Sequence, residues 1–168
     1  MDSNSKSFTV IPFTCPQEEA PIGYSASQVV TELWIERCIA NHSLFDPDDL
    51  VICKPMPGPF PRPRMFPCDN TNVEMKNIAI SITGFSGADL LHVERLIALL
   101  GADYYCNLTR RRSLLLTPDN VTSGQKLLKA KEWGIPVVRV GWLWEVIRRG
   151  GEDIDIALWC DNPVGWSP

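Results

Sequence analysis

Hydrophobic positions fall into two blocks along this chain, separated by a proline-rich stretch. In the first block, Phe8-Thr9-Val10-Ile11 reads as a short strand stopped by Pro12. Residues 14–28 carry prolines, Gly23 and serines with no helical period, and read as loop. Val29-Val30-Thr31 is a β-branched strand, followed by a helix from Glu32 to Asn41 with Leu33, Trp34, Cys38 and Ile39 on its apolar stripe. The second block is longer. A strand over 77–82 runs into Thr83-Gly84-Phe85-Ser86-Gly87, which opens a helix from about Gly87 to Leu100. Leu91, Val93, Leu96, Ile97 and Leu100 form its apolar face, and Gly101 stands at its C-terminal stop. Tyr104-Tyr105 is a second short strand. Ser113-Leu114-Leu115-Leu116 is a third, without alternation, as expected of a central strand covered on both faces. After the loop Thr117–Asn120, Ser123 is placed to cap a helix running to Trp133, with Leu127, Leu128 and Ala130 facing inward. Pro136-Val137-Val138 is the fourth strand, and Trp142 to Arg149 the last helix before Gly150-Gly151. The order βαββαβα defines an α/β fold, a small four-stranded parallel sheet flanked by helices.

The two blocks repeat each other. Val29–Ile39 aligns with Val137–Ile147 at a constant offset of 108, strand on strand and Trp34 on Trp142. Phe8–Ile11 with Pro12 then corresponds to Ser113–Leu116 with Pro118. A repeat of this period means two copies of one domain, the first represented only by its last part. The expected organisation is a polar, disordered segment 1–7, a partial repeat 8–45, a linker 46–72, a complete domain 73–150 and a tail 151–168. The linker reading rests on Pro47, Pro55, Pro57, Pro59, Pro61, Pro63 and Pro67. Met56, Phe60, Met65 and Phe66 equally suit a segment packed across a domain face.

Composition narrows the function more than the fold. The chain has 168 residues, 45% hydrophobic and 21% charged, with a formal charge of −4. Residues 1–72 hold 5 basic and 9 acidic side chains, and residues 73–168 hold 11 of each, so the second block is neutral. Net charge therefore gives no general case for nucleic-acid binding. The six cysteines include no C-x-x-C pair, so no metal site or cofactor is expected. Without an apolar leader or a membrane-length run, the chain is expected to be intracellular with reduced thiols, and its sequons at Asn41, Asn107 and Asn120 are chance matches. Neither the Gly-Lys-Ser/Thr of a P-loop nor a dinucleotide fingerprint follows Gly84, and no nucleophile–base pattern stands out, so no enzyme is expected.

The turn at Ser81–Gly87 carries the chemistry. Backbone N–H groups at a helix N-terminus are unsatisfied and positively polarised, and glycine allows an anion close approach. Thr83-Gly84, Gly101 and Trp142, with Trp34 followed four positions on by Cys38, resemble the hallmarks of the BRCT family. Gly84-Phe85-Ser86-Gly87 and the run from Ser123 to Val138 narrow this to the multi-BRCT scaffolds that include the topoisomerase II-binding replication and checkpoint protein and its fungal relatives. The resemblance implies phosphoserine or phosphothreonine recognition by Thr83, Gly84 N–H and Lys126, with Ser123 and Gln125 as neighbours. It also implies nuclear location, and partners among phosphorylated tails or loops of checkpoint-clamp, replication-initiation or repair proteins. Leu90 occupies a position that is basic in some phosphate-binding members. Two alternatives stay open: a phosphate-independent protein-interaction module, including self-association through the partial repeat, and DNA contact through Arg110-Arg111-Arg112. His42 and His92 are expected at the surface, and Trp159, Cys160 and Trp166 make the tail apolar enough to pack back.

Overall fold

A computed structural model describes residues 6–20, 23, 25, 28–57, 78–149 and 156–160. It divides into two compact units, Met1–Pro59 and Phe60–Pro168. Residues 1–5 and Trp166, given roles above, lie outside the described residues.

In the first unit, β1 (Thr9–Ile11) pairs in parallel with β2 (Val29–Thr31), and α1 (Glu32–Ala40) follows directly. Trp34 is buried, its ring 4.8 Å from that of Phe8, and its indole N–H donates to Phe45 O at 3.0 Å. Residues expected to act as spacer are built into this unit up to Pro57. Pro47–Asp49 and Val51–Cys53 form 3-10 turns, Ile52, Cys53 and Met56 are fully buried, and Thr31 Oγ1 donates to Ile52 O. Proline is compatible with the first turn of a helix, where its missing N–H is no loss, so Pro47 starts a turn here. The rest of the expected linker, 58–72, lies outside the described residues.

The second unit holds a four-stranded sheet in the order β4-β3-β5-β6, all pairs parallel. Its elements are β3 (Ala79–Ile82), α2 (Gly87–Leu99), β4 (Asp103–Tyr105), β5 (Leu114–Thr117), α3 (Gln125–Glu132), β6 (Val137–Arg139) and α4 (Gly141–Arg148). All four residues of β5 are buried, as its unbroken leucine run predicts. Gly101 ends α2 at φ 75°, with Ala102 N–H returning to Ile97 O at 3.1 Å, a left-handed stop that needs glycine. Moving from β3 to β4 and from β5 to β6 proceeds in opposite directions along the sheet, so right-handed crossovers place α2 and α3 on opposite faces. On the α3 face, Leu115, Ala130, Ile135 and Val137 form a buried cluster, with Leu108, Leu127 and Trp133 against it. Residues 156–160 return along β6, through an antiparallel bridge between Cys160 and Val138, and Ile156 is buried.

Several expectations are corrected. His92 is fully buried in α2, whereas Leu91 and Leu128 are exposed. A helix turns 100° per residue, so Leu127 and Leu128 cannot both face one core. No side chain caps α3, which starts at Gln125 after Gly124 rather than at Ser123. The strand correspondence also shifts by one residue. Thr9 faces Val29 as Leu115 faces Val137, so Val10 is the counterpart of Leu116 and Pro12 of Pro118.

That register exposes a difference between the copies. Leu116, Leu143 and Ile147 are fully buried, while their counterparts Val10, Ile35 and Ile39 are 44%, 37% and 67% exposed. The second unit has β3 and α2 beside these positions. Among the described residues the first unit has no counterpart of either.

Candidate functional site

Three loops meet at the carboxyl ends of the strands in the second unit. Order β4-β3-β5-β6 reverses the direction of winding between β3 and β5, and open α/β sheets bind ligands in the crevice at such a switch point. Thr83 continues from β3, its N–H donating to Leu116 O at 3.1 Å. The chain then turns at Gly84, φ 84°, and enters α2 with Ser86 at the N-cap position and no side chain capping the helix. Thr83 Oγ1 and Gly84 N–H have no hydrogen-bond partner among the described residues. Gly84 is required on two grounds. Its φ is left-handed, and a Cβ there would stand 2.6 Å from Val121 Cγ2 and 3.1 Å from Pro118 Cδ. The loop after β5 therefore lies directly on the turn.

Lys126, in the first turn of α3, reaches this same edge. Its ammonium donates to Ile82 O at 2.9 Å and to Cys106 O at 2.5 Å, joining the ends of β3 and β4. Thr83 follows Ile82 in the chain, so the three residues singled out in the sequence, Thr83, Gly84 and Lys126, come together. An ammonium has three donors, and two are engaged here. Ser123 and Gln125 are exposed in the approach to α3, and neither forms a hydrogen bond to Thr83 or Gly84. Leu90 lies half-buried on α2.

Two groups at this edge were missed in the sequence. Thr117, at the end of β5, is fully buried and its Oγ1 has no partner among the described residues. Arg139 pairs with Thr117 in register, and its guanidinium donates to Asp119 O. The signal was available in outline, a hydroxyl residue and an arginine at the C-terminal ends of two predicted strands, but only the strand register puts them in one row.

The arginine run lies on the connection that leaves β4, and Arg112 Nε donates to Asn107 O at 3.1 Å. Leu108, on the connection from β4 to β5, packs against the core cluster on the α3 face. Arg110 stacks over Trp133 at 5.5 Å and Arg112 over Tyr105 at 3.6 Å. Two of the three cations thus have aromatic partners that fix the connection.

Residues 74–147 match the family model described as the BRCA1 C Terminus (BRCT) domain. A crystal structure of Schizosaccharomyces pombe Rad4 BRCT3,4 aligns with a TM-score of 0.71 at 34% identity, covering 92% of this chain and 78% of that one. This chain therefore belongs to the BRCT family. It is also similar to the S-M checkpoint control protein rad4 of S. pombe, 34% identical over 161 residues, and to PAX-interacting protein 1 of Danio rerio, 38% identical over 68 residues. These alignments cover 94% and 40% of this chain, but it spans only 23% and 7% of those proteins' lengths. The structural match extends beyond the second unit, so the first unit takes part in it.

Proposed function

We propose that this chain is a phosphopeptide-binding adaptor module of a nuclear replication and checkpoint scaffold. It reads phosphoserine or phosphothreonine through Thr83 Oγ1, Gly84 N–H and Lys126. The observation that carries the reading is the 2.9 Å bond from Lys126 Nζ to Ile82 O, which brings a full positive charge beside Thr83 at the open end of α2. Helix N–H groups, a hydroxyl and an ammonium are the donor set a phosphate monoester requires. The similarity to a checkpoint control protein supports the scaffold setting. Partners would be phosphorylated tails or loops of checkpoint-clamp, replication-initiation or repair proteins. The role is recognition, without catalysis.

Titration of phosphothreonine peptides against wild type, Thr83→Ala and Lys126→Glu tests the reading. Loss of a charge-assisted bond predicts roughly 10-fold weaker binding for Thr83→Ala and about 100-fold for Lys126→Glu. Equal binding by all three proteins, or of the unphosphorylated peptide, would refute it.

A second reading rests on the same lysine. Because Lys126 already joins two strand ends, and Leu90 adds no charge, the edge also suits a phosphate-independent protein contact. A partner retained after phosphatase treatment would favour that reading. Salt-sensitive binding of DNA that phosphopeptide does not compete for would instead favour Arg110–Arg112.

A further inference from the structure

We infer that the connection from β4 to β5 and the adjoining side of α3 form a basic strip that takes acidic residues about three positions from the phosphorylated residue of the peptide. This rests on the phosphopeptide reading above and adds the sequence context that the site selects. The strip follows from how the connection is laid along α3. Cys106 O meets Lys126 Nζ in the first turn of the helix, Leu108 packs with Leu127 and Trp133, and Arg110 lies over the Trp133 ring at 5.5 Å. Lys126, Lys129 and Trp133 stand at i, i+3 and i+7, so they share one side of α3. Two helical turns carry the strip roughly 10 Å away from the Lys126 position.

Positive charge is concentrated along it. Residues 106–133 hold six basic and two acidic side chains, in a chain whose net charge is −4. Lys129 and Arg110 lie over the Trp133 ring at 5.8 and 5.5 Å, so two cations share one aromatic. One carboxylate answers them. Glu132 accepts from Lys129 Nζ at 2.9 Å, and its pKa is held below the usual carboxylate range, chiefly by Lys129 and also by the charge on Arg110. The strip thus already holds a carboxylate of its own. Arg111 is exposed, and its guanidinium makes no hydrogen bond or ion pair among the described residues. One acid against Lys129, Arg110 and Arg111 leaves an excess of positive charge that an acidic peptide segment would offset. An extended chain advances about 3.3 Å per residue, so a peptide with its phosphate at Thr83 and Lys126 comes level with Trp133 about three residues on. A short acidic segment suits the strip better than duplex DNA, because a long polyanion also meets the rest of a negatively charged chain.

The probes are phosphothreonine peptides carrying a pair of alanines or a pair of glutamates about three positions to one side or the other, titrated against the full chain by fluorescence anisotropy. One of the glutamate peptides should bind roughly 5–10-fold tighter than its alanine counterpart, the summed effect of a few exposed charge pairs. That difference should shrink as salt is raised. Arg111→Gln should remove part of the preference and Arg110→Gln with Arg111→Gln most of it, while affinity for the alanine peptides changes far less. Equal affinity for alanine and glutamate peptides, or a preference that both substitutions leave intact, would overturn this inference and leave the Thr83–Gly84–Lys126 reading standing. Binding of none of the phosphopeptides would overturn both. Duplex DNA that binds the wild type more tightly than the glutamate peptides do, and that loses affinity with Arg111→Gln, would assign the strip to nucleic acid instead. Should Arg110→Gln disturb folding, Arg111→Gln alone decides.

Discussion

Gly84→Ala tests how tightly the turn after β3 is built. The substitution adds one methyl group and leaves the backbone N–H in place. Two costs follow. A non-glycine residue at φ 84° adopts a left-handed conformation, worth about 1–2 kcal/mol. The new Cβ would also lie 2.6 Å from Val121 Cγ2, closer than real contacts allow, and a tight 3.1 Å from Pro118 Cδ, so the loop must move. Overpacking of that kind adds about 1–3 kcal/mol. Gly87→Ala is the natural control: its φ is 56°, but a Cβ there meets nothing within 4 Å, so only the conformational cost of about 1–2 kcal/mol applies. Urea denaturation of the full chain should therefore rank Gly84→Ala below Gly87→Ala by about 1–3 kcal/mol at unchanged m-value. Adding Val121→Ala to Gly84→Ala removes the nearest clash but not the one with Pro118, so the double-mutant cycle should show a coupling of about 1 kcal/mol. Equal destabilisation by the two glycine substitutions, or strict additivity with Val121→Ala, would refute the close-packed turn.

Three further outcomes are expected. Burial pushes the Cys53 thiol up to about 12, leaving a thiolate fraction of roughly 10⁻⁴ at pH 8. In native protein, alkylation followed by mass spectrometry should find exposed Cys106 labelled well before Cys53. Tyr104 is also raised to about 12, chiefly by burial and then by its hydrogen bond to Glu94. A folded value above the unfolded one, near 10, means its contribution is complete below pH 10 and lost as pH rises towards 12. Thermal melts should fall through that window, less steeply in Tyr104→Phe. Finally, Ile35→Lys with Ile39→Lys should reduce any concentration-dependent association seen by sedimentation, since both side chains are exposed apolar surface in the first unit. Unchanged association would remove that face from consideration.

Element types were legible because each carries a local signature. The β5 leucine run, the β-branched Val29–Thr31, and Gly101 at a helix end each depend on neighbours in sequence. Register was less so: three-residue strands offer little alternation, and pairing alone showed that Val10, and not Ile11, answers to Leu116. For residues 47–57 the prolines suited a spacer and apolar residues such as Met56 suited a packed segment, two readings that local sequence weighs equally; burial of Ile52, Cys53 and Met56 favours the second. Burial of His92 could not be read from a helix with apolar residues on several sides, because the crossover decides which side faces the sheet. At the candidate site, Thr83, Gly84 and Lys126 were singled out through family resemblance, while the carbonyl partners of Lys126 and the pairing of Thr117 with Arg139 exist only once the strands are aligned.

The lysine bridging Ile82 O and Cys106 O also affects how relatives should be judged. A residue that ties two strand ends together is constrained by folding whether or not its ammonium ever meets a ligand. A BRCT sequence that has given up phosphate recognition would still have reason to keep this lysine. Its presence alone is therefore a poor marker of a reader. The informative markers are those with no structural employment, a hydroxyl at the Thr83 position whose oxygen has no partner among the described residues.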